Sequence, residues 1–268
     1  MSEGKSYINA GQKVVTAIDE LFVDGINLTY TGVPQVCGLT GYYWTRARRN
    51  YIAVLLLCDK GYGVEAQVLV RTMLEDLIDL RYIATDPENL SVRWAEHEGR
   101  YRYNHYRKAL EAGENPEPPD DLAELLELAA RDAELPKKHR PKNSWTPLQI
   151  KERACEADRL GKLKGAEHSY GLYQSLCEHT HGSVVAAKDY LEMVDGVTHL
   201  VPEPSGYKRV TSLAIATWLL HWTLKALNSI GLQGELDVME LANQYANFNE
   251  PTVDDLNRIV VPEVAGTP

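Results

Sequence analysis

Apolar residues recur along this chain with the period of a helix and hardly anywhere with that of a strand. Val14, Val15, Ile18, Leu21 and Phe22 share a helix face, and Asp24-Gly25 closes that element. A turn-rich stretch through Gly32 and Pro34 leads to a predicted helix over 40–60, stopped by Gly61 and Gly63. The next predicted helix, 64–84, is different in kind. Leu69, Met73, Leu77 and Leu80 take one side, Ile78 and Tyr82 the other, and a helix apolar all round belongs at the centre of a fold. Thr85-Asp86-Pro87 then supplies an end, a cap and a first-turn proline for a polar, aromatic helix over 87–112. A proline-rich break at 114–119 precedes predicted helices over 120–135, 146–161, 166–181, 209–230 and 235–246, with a short helix in 183–191 and a loop or small hairpin in 194–207.

No alternating run rich in Val, Ile and Thr separates these helices, so a sheet of any size is not expected. The fold class read from the pattern is all-α, a multi-helix bundle. It forms one domain over 1–268, with a helical hairpin insertion at 113–145 and an irregular tail at 250–268. A chain of this length buries roughly 75% of its unfolded surface and needs no disulfide or metal to fold.

Charge narrows the function classes. A net charge of −10 argues against coating nucleic acid or adhering to anionic membranes. Val210 to Ile230 is long enough to cross a bilayer, but His221, Lys225 and Asn228 favour a buried core helix. Met1 to Lys5 carry no secretory pattern, and a soluble cytoplasmic protein is expected. Cys37, Cys58, Cys155 and Cys177 form no paired motif and read as small apolar fillers.

Two stripes mix polar with apolar groups. Arg71 and Glu75 lie about 40° apart on the central helix, beside Ile78 and Tyr82. Tyr170, Tyr173, Cys177 and His181 fall within an arc of about 80° on a later helix. Such mixtures are costly in a core unless the polar groups meet. The two stripes are therefore expected to face each other, with Arg71 and Glu75 both largely buried and with Tyr173 or His181 in reach of one of them. Each group has a bland reading, a structural ion pair or a satisfied core histidine, beside the functional one. Glu178-x-x-His181 has the spacing of carboxylate-bridged metal bundles, but no second copy exists, so neither metal nor cofactor is expected. Phosphate-loop, dinucleotide and hydrolase signatures are lacking.

Three segments together carry a resemblance. They are Arg49-Asn50-Tyr51-Ile52 with Leu55 to Tyr62, Glu65-Ala66 with Leu69 to Glu75, and Tyr170-Gly171-Leu172-Tyr173 leading to Cys177-Glu178-His179-Thr180-His181-Gly182. Over about residues 45 to 195 the chain resembles an uncharacterised bacterial all-helical family of unknown function, although Cys177 stands where that pattern has Ser. A looser likeness is to HEPN proteins, helical bundles of bacterial defence and toxin systems, whose ribonuclease members pair an Arg with a His. The Arg-x4-His spacing of Arg100 and His105 resembles that pair, and His181-Gly182 resembles the ending of some of its motifs. That likeness implies a metal-independent ribonuclease, with His as acid or base and Arg stabilising phosphorane charge. Two readings stand from the sequence. One is a non-catalytic regulatory or small-ligand-binding protein, with Arg71, Glu75, Tyr170 and Tyr173 as its lining. The other is the ribonuclease or a degenerate relative, with Arg100, His105 and His181 as its catalytic residues. Whether the protein is an enzyme stays open here; a homodimer, a small ligand or RNA are the partners that fit.

Overall fold

The computed structural model describes residues 3–23, 27–28, 32–137, 145–161, 169–180, 187, 190–200, 208–233, 236–246 and 248. The described residues are overwhelmingly helical: α1 Glu3–Leu21, α2 Pro34–Asp59, α3 Gly63–Ile83, α4 Pro87–Glu111, α5 Leu122–Glu134, α6 Ile150–Leu160, α7 Ser169–Thr180, α8 Arg209–Ser229 and α9 Val238–Asn243. The protein is an all-α multi-helix bundle.

Helix α3 lies at the centre. It packs on α2, α6, α7 and α8, and α2 and α8 also pack on each other. Val70, Met73, Leu74, Leu77, Ile78 and Leu80 of α3 meet a core that includes Leu39, Tyr51 and Val54 of α2 and Leu213, Leu219, Leu220 and Leu227 of α8. Each such side chain contributes roughly 1.5–3 kcal/mol by leaving water. Helix α8 is a core helix as its polar residues suggested, and no described helix is long and apolar enough to cross a membrane.

Local chemistry fixes the joints. Gly61, at φ 90°, ends α2: its amide donates to Cys58 O and that of Tyr62 to Leu57 O, satisfying two terminal carbonyls and turning the chain at once into α3. Asp86 caps α4 by accepting from the Asn89 amide, with Pro87 at the first position. Gln149 and Glu152 form a capping box at the start of α6.

Several boundaries differ from the sequence pattern. Helix α2 begins at Pro34, six residues earlier than expected, because proline suits a first turn and Val36, Leu39 and Thr40 are buried there. Within the segment 113–145 the described helix is α5, which packs on α4. Leu191, placed in a short helix by the pattern, belongs to a strand, Leu191–Val194, which pairs with Val197–Leu200. Asp195 and Gly196, with φ 52° and 77°, make the tight turn between them. A second short ladder joins Asn27–Leu28 to Leu232–Gln233. The four cysteines are not uniformly buried fillers: Cys58 is buried, Cys37 and Cys177 are half-buried, and Cys155 is exposed.

A polar seam between two core helices

Charged residues of α3 clamp three of its neighbours, α2, α6 and α7. Asp76 accepts from Arg46 Nε of α2 at 2.7 Å. Asp79 accepts from Trp145 Nε1 at 3.1 Å and pairs with Arg153 Nε of α6 at 2.6 Å. Arg81, almost fully buried, pairs with Asp158 of α6 at 2.9 Å and donates to Ser169 Oγ of α7 at 3.4 Å.

Arg71 joins the two stripes. Its Nη2 donates to Glu75 Oε1 at 2.8 Å and to Tyr173 OH at 2.9 Å, and its Nε donates to Cys177 Sγ at 3.2 Å. The guanidinium carbon also lies 5.1 Å from the Tyr173 ring centroid. Tyr170 stacks on Tyr173 at 6.0 Å, and Lys151 Nζ lies 5.9 Å from the Tyr170 ring. Because Arg81 reaches Ser169 while Arg71 reaches Tyr173 and Cys177, α3 and α7 run antiparallel.

Both side chains are buried for the greater part, Glu75 less than Arg71. The Arg71 side chain is 18% exposed and that of Glu75 34%. The pair sits at the mouth of the seam rather than inside the core, because Glu75 is turned toward the opening while Leu74 and Ile78 fill the interior. Its loss is therefore screened by water and cheaper than that of a fully buried pair. Burial pulls the Arg71 guanidinium down, but its bonds to Tyr173 and Cys177 and the charge of Glu75 outweigh that and hold it above its ordinary value. Burial pushes the Tyr173 phenol up to about 12, against the pull of Arg71. At neutral pH the seam thus holds a charged arginine and a neutral tyrosine, and Nη1 of Arg71 has no hydrogen-bond partner among the described residues.

Gln67, one turn before Arg71, was missed in the sequence. It is 0% exposed, and neither end of its amide has a hydrogen-bond partner among the described residues. A glutamine one turn before Arg71, on the same mixed polar and apolar stripe, was the available signal. Asp76, Asp79, Arg81, Arg46 and Arg153 were missed as well; their partners lie on other helices.

Arg100 and His105 are not brought together. Arg100 Nε and Nη2 bind Asp132 of α5 at 2.6 and 3.1 Å, Nη2 also binds Glu96 at 2.8 Å, and Nη1 binds Arg93 O at 3.1 Å. His105 is exposed and packs against the exposed ring of Tyr101, 4.2 Å between centroids. Five residues along a helix turn a side chain about 140° away, so within one chain the pair cannot face one cleft. His181 lies outside the described residues. Among those described, no group of three His, Cys, Asp or Glu could hold a metal.

A family model described as a family of unknown function, DUF5677, matches residues 39–198, more than half of the chain. The chain belongs to this family. Its span includes α3 and α7, and hence Arg71, Glu75, Tyr170, Tyr173 and Cys177, and it stops before α8. No curated protein and no solved structure matches the chain.

Proposed function

We propose that this DUF5677 member is a non-catalytic, regulatory small-ligand-binding protein whose site is the seam between α3 and α7. The observation that carries the reading is Arg71. Three partners hold its guanidinium in one orientation, and one of its nitrogens is left without a bond among the described residues. A guanidinium fixed in this way is prepared to take a carboxylate, phosphate or carbonyl oxygen with little further loss of freedom. Gln67 adds a buried amide in need of a donor and an acceptor, one turn away along the same side of α3. Tyr170 and Tyr173 supply an aromatic wall. The ribonuclease reading has less support, since Arg100 is surrounded by carboxylates that compete with RNA phosphate.

A thermal-shift screen of small polar metabolites against the full chain tests the proposal. At least one oxyanion should raise the melting temperature, by an amount equivalent to about 2.7 kcal/mol at a hundredfold excess over Kd. Arg71→Met should weaken that ligand about tenfold or more, the cost of one charge-assisted bond. Tyr173→Phe should weaken it less. A wild type that responds to no compound, or an Arg71→Met variant that responds equally, would sink the reading.

A further inference from the structure

A concavity lies where α3, α4, α5 and α6 come together. It is a cavity of about 590 Å³ bounded by the end of α3, the first half of α4, the end of α5 and α6. That volume suits a small-molecule site. Its charges sort themselves in an uneven way. Arg100 is held by Asp132 and Glu96, and Arg131 by Glu96. Asp86 is occupied with capping α4 through Asn89, and Glu156 is bound to Arg159. Arg93 also lines the cavity, half-buried, and its guanidinium has no ion-pair or hydrogen-bond partner among the described residues. Its charge reaches the Tyr82 phenol, another lining group. Beside it run Leu90, Val92, Leu135 and Leu160.

We infer that this cavity binds a monocarboxylate carrying an apolar body. One planar guanidinium without a partner matches one carboxylate through two parallel bonds. The leucine and valine wall takes the hydrocarbon part out of water, and the carboxylates already present select against a second negative charge. Asp86, Glu96, Asp132 and Glu156 would repel a phosphate dianion that a single uncommitted arginine cannot neutralise. A cationic amphiphile would meet Arg93 head on, and an uncharged one would leave it unsatisfied. The site is independent of the α3–α7 seam.

Calorimetric titration of the full chain with sodium octanoate, octylammonium, octanol and octyl phosphate tests this. Octanoate should bind at one site, with the other three about tenfold or more weaker, the worth of a charge-assisted pair. Arg93→Met should weaken octanoate about tenfold while leaving octanol unchanged. Leu160→Glu, at a partly exposed position that tolerates a polar side chain, should weaken octanoate without unfolding the protein. Arg71→Met should leave octanoate binding intact, so failure here and failure of the seam are distinguishable. Absence of octanoate binding at millimolar concentration, octyl phosphate or octanol binding as tightly, or a folded Arg93→Met or Leu160→Glu variant with unchanged affinity would each overturn the assignment.

Discussion

Asp76 is the residue whose surroundings most contradict its chemistry. It is buried beside Arg46, and Asp79 and Glu75 lie on the same helix. Burial pushes its carboxyl up to about 7; Arg46 pulls it down, and the two neighbouring acids add to the rise. Asp79 is raised by burial as well, against Arg153 and Trp145. In the window between the ordinary value of 3.8 and about 7, the folded state therefore holds more protons than the unfolded chain. Stability present at acid pH should fall as pH rises through that window, then level off. Urea denaturation of wild type and Asp76→Asn, run from pH 5 to pH 8, checks the sign. The variant should keep only the part of the slope that Asp79 supplies, and a wild type whose stability rises with pH across this range would refute the assignment. The helical pattern held a hint of this: two aspartates three apart on a helix apolar all round must find cations. It did not say which, because Arg46 stands 30 residues away.

At the scale of elements, α4 and α5 form a unit held by one clasp and a small apolar patch. Arg100, only 10% exposed, grips Asp132, while Leu125 and Leu128 are buried beneath Gly99, where an added methyl would come within 3.1 Å of Leu125. The exposed pair of Arg102 and Asp121 adds little. Asp132→Ala leaves Arg100 with Glu96 and the Arg93 carbonyl and should cost roughly 1–3 kcal/mol. Hydrogen exchange should show the loss confined to α5, with α3 and α8 still protected, since local opening follows the least buried unit. Uniform deprotection of the whole chain would argue instead that the clasp belongs to the main core. The same clasp explains why Arg-x4-His was a poor guide. The spacing was visible in the sequence, and so were the turn of the helix that points the two side chains apart and Glu96 one turn before Arg100; Asp132 was not, because it lies 32 residues on.

For the molecule as a whole, stability rests on the α2–α3–α8 core. Leu77 and Leu219 are both fully buried in it. Leu77→Ala or Leu219→Ala should cost about 2–5 kcal/mol in urea denaturation, with the denaturant slope unchanged. Leu126→Ala, on the exposed face of α5, should stay within about 0.5 kcal/mol of wild type. Equal costs at the three sites would mean that the core has been placed wrongly.

The sequence by itself determined what short-range forces decide. It set the helical class, the central position of α3, the joints at Gly61 and Asp86-Pro87, the core character of α8 and the pairing of Arg71 with Glu75 one turn on. These depend on backbone sterics, capping bonds and apolar periodicity within a few residues. The tertiary structure decided which distant groups meet. It set Tyr51 hydrogen-bonded to Thr217 across 166 positions, Arg71 against Tyr173 and Cys177, Asp79 against Arg153, and the early start of α2. It also turned Glu75 toward water and left Arg93 without a counter-ion among the described residues. A charge carries no record of its partner in its own neighbourhood; the partner is chosen by how helices settle over the apolar surface, and that packing is a property of the whole chain.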